Sequence, residues 1–202
     1  MSATASVDQD RWDLEILFAS CDDPRFQSEF AGVPEAIGHL EKLFDLHGVR
    51  KLDTPLDSET ARARFEEVVA AWNSLSDRAR LLGGYLRMRT AADSQDDEAQ
   101  SKLSELQKSF AKFGILGSRF VAWIGSLDAT QLLAASQVAR DHAFVIQKAQ
   151  ARARHQMDEP LEALAADLSL SGSTAWSKLH GNLTSMLEVQ VALPSGTCSM
   201  PM

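Results

Sequence analysis

The sequence predicts a mainly all-α protein, a helical array built on a long antiparallel helical hairpin with a short C-terminal β-hairpin. Three observations predict it. Apolar residues step by threes and fours along two long stretches, a polar break from Ala92 to Asp97 separates the stretches, and period-two alternation appears in the last fifteen residues.

Each element follows from local chemistry. Asp22-Asp23-Pro24 is a helix start with proline in the first turn, and Phe26, Phe30, Val33, Ile37, Leu40 and Phe44 continue at helical spacing. Gly32 and Pro34 should kink that helix, and Gly48 should end it. Asp53-Thr54-Pro55 then leads into a heptad seam of Ala61, Phe65, Val68, Trp72, Leu75, Ala79, Leu82 and Leu86. The stepping resumes at Ala99, Leu103, Leu106, Phe110, Phe113, Gly117, Phe120, Ile124 and Leu127.

A turn near Ala92 pairs Leu86 with Ala99, Leu82 with Leu103, Trp72 with Phe113 and Val68 with Gly117. Ser94 and Asp97 resemble a capping box for the second helix. The tandem Gly83-Gly84 marks a close helix crossing or a bend. Asp128 to Met157 is helical in composition, rich in Ala, Gln and Arg, with His142, Ile146, Ala149 and Ala153 along one stripe. Asp158-Glu159-Pro160 restarts a helix through Leu168. Gly172 should end it, with Ser173 capping a last helix whose apolar face is Trp176, Leu179, Leu183 and Leu187. Val189, Val191 and Leu193 alternate, Pro194-Ser195-Gly196 turns, and Thr197 to Met202 returns as a second strand. The expected division is a helical domain over 1–187, with 188–202 the start of a β-hairpin truncated before a further domain.

Composition narrows function. With 20 Lys+Arg against 28 Asp+Glu the net charge is -8, which repels phosphate backbones and anionic headgroups, so neither nucleic acid nor membrane is an expected partner. No run approaches the ~20 apolar residues of a membrane span, and Met1 to Asp8 lacks a secretory signal's basic start and apolar run. Cys21 and Cys198 lie near opposite ends, outside any CxxC pair. A cytoplasmic protein is expected.

Several segments carry a resemblance beyond periodicity. Arg11-Trp12-Asp13-Leu14-Glu15-Ile16-Leu17-Phe18 followed by Asp22-Asp23-Pro24-Arg25-Phe26 is similar to the entry segment of the oligoendopeptidase F family, thimet-type zinc metallopeptidases. Leu81 to Ala92, Met157-Asp158-Glu159-Pro160-Leu161-Glu162, the run from Leu168 to Leu179, and Thr197 to Met202 resemble later family segments in order. The resemblance maps onto the family's amino-terminal part. It implies helices forming one wall of a closed channel for short peptides, while a separate catalytic domain holds zinc through HExxH and a downstream glutamate. In that domain a zinc-bound water attacks the scissile carbonyl. His39, His47, His142, His155 and His180 include no pair four apart and none followed by glutamate. No catalytic, cofactor-binding or metal residue is therefore expected in this chain. The expected partners are the catalytic domain and, in the whole protein, an oligopeptide.

Asp93, Asp96, Asp97 and Glu98 could hold calcium, but the sixth position of an EF-hand loop needs glycine and Glu98 stands there. Helix capping is the better reading. His142 and His155, thirteen apart, do not have a ligand spacing. Arg62, Arg64, Arg78, Arg80, Arg87 and Arg89, like Arg140, Lys148, Arg152 and Arg154, read as solvated faces with intrahelical partners. A channel wall would turn some arginines to a peptide's carboxylates. Trp72, Phe110, Phe113 and Phe120 read as core. Cys21, beside Asp22 and Asp23, should have a raised thiol pKa and no nucleophilic role. The alternative function is a stand-alone helical interaction module whose seam takes a partner helix.

Overall fold

Five helix starts carry aspartate or serine caps, at Asp23, Asp57, Asp96, Asp128 and Ser136, and these set much of the path of the chain in the computed structural model, which describes residues 13–193 and 196–201. Asp23 Oδ1 accepts from Arg25 N at 2.7 Å and opens α1 (Pro24–Ala31). The chain breaks at Gly32 and resumes as α2 (Val33–His47), with Pro34 in its first turn. Gly48 ends α2 at a φ of 62°, the left-handed region that only glycine enters without a Cβ penalty. The expected kink is thus a full break between two helices.

The predicted hairpin is α3 (Ser58–Ala92) and α4 (Asp97–Ser126). At about 1.5 Å per residue they run to about 50 and 45 Å. Asp57 caps α3 by accepting from Thr60 N at 2.9 Å. The cap of α4 is Asp96 rather than Ser94, since Asp96 Oδ1 accepts from Ala99 N at 2.9 Å. Arg89 explains the choice. Its Nη2 lies 2.6 Å from Asp96 Oδ2 and holds that carboxylate at the helix mouth, while Ser94 gives its carbonyl to Gln100 Nε2.

Trp72 packs on Phe113 with ring centroids 4.3 Å apart and stacks on Phe120 at 5.1 Å. Gly117 lies under the same indole, where an added Cβ would sit 3.5 Å from Trp72 Cη2. Gly117 therefore faces Trp72, not the Val68 expected, because the long indole covers the turn between the two phenylalanines. Phe44 of α2 closes the cluster at 6.1 Å from Trp72 and 6.3 Å from Phe120. A second aromatic group, Phe18, Phe26 and Tyr85, seals the other end of α3 edge to face. These side chains and Trp123 belong to one continuous core.

Gly83 and Gly84 mark neither a crossing nor a break. Helix α3 runs through both, and an added Cβ meets nothing closer than 3.7 Å. The close crossing is at Gly125, where an added Cβ would overlap Ala153 Cβ.

The helical stretch expected over 128–157 is divided into three helices: α5 (Ala129–Ala135), α6 (Gln137–Asp141) and α7 (Ala143–Ala153). Ser136 breaks it. With φ -126° and ψ 127° it is extended, and its hydroxyl accepts from Ala139 N and donates to Glu66 Oε1 at 2.7 Å. A buried side chain that satisfies both the new helix start and a carboxylate on α3 outcompetes helix continuation. His142 makes the second break and sits against Val138 O through Nδ1 at 2.8 Å.

Helix α8 (Glu159–Ser169) runs into a kink at Gly172, as expected, and α9 (Ala175–Ser185) follows it. Gly172 is non-helical, with φ -90° and ψ -107°, so the break is made without the left-handed glycine that closes α2. Ser173 caps nothing; its hydroxyl donates to Ser169 O. Strands β1 (Glu188–Leu193) and β2 (Gly196–Pro201) pair antiparallel with Val191 opposite Cys198. Met1 to Asp8, Arg11-Trp12, the turn residues Pro194 and Ser195, and Met202 lie outside the described residues. No helix among the described residues is long and apolar enough to cross a membrane.

Candidate functional site

The carboxyl-terminal helices differ from the rest in where their apolar residues point. Leu161, Leu164 and Leu168 recur by three and four along α8, and Trp176, Leu179 and Leu183 do the same along α9, with Leu187 just beyond its end. Such stripes normally face a core. Here they face solvent: Trp176 is 70% exposed, and Leu164, Leu168 and Leu183 each more than half. Beyond Ala149 no described residue is fully buried. Helix α8 rests on α4, where Glu162 Oε2 accepts from Ser118 Oγ and Oε1 accepts from Met157 N at 3.0 Å. Helix α9 reaches the hairpin through Lys178 Nζ, 3.4 Å from Ser104 Oγ. The β-hairpin has no third strand among the described residues, so both its edges are open.

Beside α9 lies a groove of about 510 Å³ against the turn end of α3 and α4. Ser104, Gln107, Ser177 and Asn182 line it with hydroxyls and amides, and Arg87 and Lys178 add positive charge. Groups of this kind hydrogen-bond to peptide backbone without selecting side chains.

The residues singled out in the sequence fall elsewhere. Arg62 and Arg80 have the expected intrahelical partners. Arg64, Arg78 and Arg89 instead reach other segments: Arg64 donates to His47 O, Arg78 pairs with Glu29, and Arg89 pairs with Asp96. Arg140 donates to Leu133 O and Ala134 O at the end of α5. These arginines staple the fold. Lys148, Arg152, Arg154 and His155 are exposed.

Cys21 is buried, and that burial pushes its thiol above the usual range; Glu98 and Asp96 add to the rise while Arg89 and Lys102 oppose it. The cause is desolvation and the start of α4, not the neighbouring Asp22 and Asp23. Burial likewise pushes the Asp96 carboxyl up, but the Ala99 N–H and the Arg89 guanidinium outweigh it and hold the group below the usual carboxylate range.

Among the described residues no three His, Cys, Asp or Glu side chains converge as a metal group would require. His47 is committed to Glu67 at 2.8 Å and His142 lies against Val138 O.

The unpartnered helices coincide with a recognisable segment. Residues 124–188, about a third of the chain, match the family model described as Oligopeptidase F, an amino-terminal domain. Those residues are similar to the amino-terminal domain of the oligopeptidase F family. The match runs from the end of α4 to the start of β1, and it includes two of the motifs noted above, Met157 to Glu162 and Leu168 to Leu179. No curated protein and no solved structure matches the chain.

Sequence reasoning found the apolar stripe of the last helix but not its exposure, and it did not single out the stripe of α8. Periodicity says that a helix has an apolar face, not what covers it.

Proposed function

We propose that this chain is the amino-terminal portion of an oligoendopeptidase F-like zinc metallopeptidase, a channel wall for short peptides rather than a carrier of chemistry. Residues 1–187 are the helical domain and 188–202 the start of a hairpin continued by a catalytic domain. One observation carries the reading: the exposed apolar stripes of α8 and α9 lie inside the segment that matches the family. An apolar surface of that kind needs a covering partner, and the catalytic domain is the partner the family supplies. The polar groove beside α9 suits a wall that holds peptide backbone. Zinc and its ligands belong to that other domain, so the 202-residue chain alone binds no zinc and cleaves no peptide. The protein works in the cytoplasm.

The test is the mass of the protein in its native source, detected with an antibody raised against residues 61–127. A species much larger than 22.1 kDa is expected. A species at 22.1 kDa would overturn the reading and leave the interaction module, as would one tightly bound zinc per purified chain. The α3–α4 seam counts against that module, since Trp72, Phe113 and Phe120 satisfy one another within the chain.

A further inference from the structure

The groove beside α9 differs from the rest of the molecule in its charge. Acidic residues outnumber basic ones in the chain, 28 to 20, yet among the described residues no Asp or Glu lines this groove, while Arg87 and Lys178 both do. The cavity between α4 and α8 lacks that bias, since Asp158 and Glu162 stand there among Arg50, Lys51 and Arg154. Arg87 is exposed, and its guanidinium makes no hydrogen bond or ion pair among the described residues. Lys178 spends one of its three N–H groups on Ser104 Oγ.

The two cations stand close together along the groove. An added Cβ on Gly83 would lie 3.7 Å from Arg87 Nη1 and 4.0 Å from Leu106 Cδ2, and Lys178 Nζ lies at Ser104, two residues from Leu106. They are therefore within about one turn of each other along α4. A cleft lined by one sign of charge concentrates ions of the other sign, even on a protein whose net charge opposes it.

The groove is far larger than an inorganic anion needs. Its volume is about 510 Å³, against about 30 Å³ for one water in the liquid. Its lining runs from Ser177 to Ser185 along α9 and from Gln100 to Gln107 along α4, about 12 and 10 Å at 1.5 Å per residue. An extended chain at about 3.3 Å per residue covers that length with about three or four residues. The side chains of Gln107, Ser177 and Asn182 have no hydrogen-bond partner among the described residues. Their amides and hydroxyl can therefore donate to peptide C=O and accept from peptide N–H.

We propose that this groove selects short extended peptides that carry an acidic side chain, its carboxylate facing Arg87 and Lys178 while Gln107, Ser177 and Asn182 hold the backbone. The inference rests on the reading of the groove as a wall that holds peptide, and it adds the class of peptide.

Calorimetric titration of the full chain at low salt with acetyl-Ala-Ala-Glu-Ala-amide tests it, both ends being blocked so that the side chain carries the only charge. The Glu peptide is expected to bind about tenfold tighter than its Gln counterpart, each exposed pair contributing about threefold. R87Q and K178Q should each reduce that preference about threefold. R152Q, at an exposed cation that does not line the groove, should leave it unchanged. The preference is the readout, because a variant that merely loosened α9 would weaken both peptides alike. Equal binding of the Glu and Gln peptides, a preference that survives in the R87Q/K178Q double variant, no binding of either at millimolar peptide, or inorganic phosphate binding as tightly as the Glu peptide would overturn the assignment. Protein mass decides the peptidase reading by itself, so the two can fail separately.

Discussion

Two glycines on α4 should respond to the same substitution with opposite signs. Gly114 and Gly125 lie about three turns apart on one helix. Alanine at either position gains about 1 kcal/mol of helix propensity. At Gly114 nothing lies within 4 Å of the added methyl, so Gly114→Ala should keep that gain and stabilise by about 0.5–1 kcal/mol. At Gly125 the methyl overlaps Ala153 Cβ, with Ala153 Cα 3.8 Å away. The obstacle is fixed to the backbone of α7 and cannot rotate aside, so the two helices must separate. Overpacking costs about 1–3 kcal/mol, and an overlap with a backbone-fixed Cβ belongs at the upper end, which outweighs the propensity gain and leaves Gly125→Ala destabilised by about 1–2 kcal/mol. Urea unfolding followed by circular dichroism should place the two midpoints on opposite sides of the parent. Thermal midpoints should differ by about 4–10 °C, at about 2–4 °C per kcal/mol for a chain of this size. Adding Ala153→Gly should recover about 1 kcal/mol in the Gly125→Ala background and cost stability in the parent, the coupling expected of two groups in contact. A Gly125→Ala protein stabilised as much as Gly114→Ala would refute the crossing.

Two further outcomes follow from the caps. Ser136→Ala removes the cap of α6 and strips Glu66 of its hydroxyl donor; the expected loss is about 2 kcal/mol, seen as a lower urea midpoint at unchanged slope, and a loss below about 0.5 kcal/mol would show that this hydroxyl does not hold the break. Acid should unfold the protein partly through its capping aspartates. The Arg25 N–H at Asp23, Thr60 at Asp57, and the Ala99 N–H with Arg89 at Asp96 hold these carboxyls below their ordinary 3.8. A carboxyl depressed in the folded state contributes stability above its unfolded value and loses it as pH falls through the folded one. Stability should therefore decline as pH drops below about 4, and less steeply in Asp96→Asn. An equal decline in parent and variant would refute Asp96 as a contributor.

The sequence displayed the scaffold more plainly than the surface. Heptad stepping located α3 and α4, and the polar break between them located the turn, because an amphipathic period survives in one dimension. The caps were legible in kind but not in identity. Choosing Asp96 over Ser94 required Arg89 to come back across the turn, a relation between residues seven apart. The breaks at Ser136 and His142 were invisible for a similar reason. Alanine-rich sequence favours helix, and the partner that overrules it, Glu66, lies 70 residues away. Gly125 carried no signal of its own, and Gly83-Gly84 carried a misleading one, because a close approach depends on the opposing helix. The candidate surface was partly legible: the stripe of α9 was readable, and its exposure was not.

The weak seating of α9 has a consequence for exchange with solvent. Helices α1 to α7 share the core, so opening any one of them exposes apolar groups that others bury. Helix α9 and the β-hairpin bury no described side chain fully, so they can unfold and refold while the core stays intact. Their amides define a separate cooperative unit that trades hydrogen for deuterium ahead of the hairpin of long helices. A partner settling on Trp176 and Leu183 would pull that unit into the global transition, and the slowing of its exchange would mark where the contact forms.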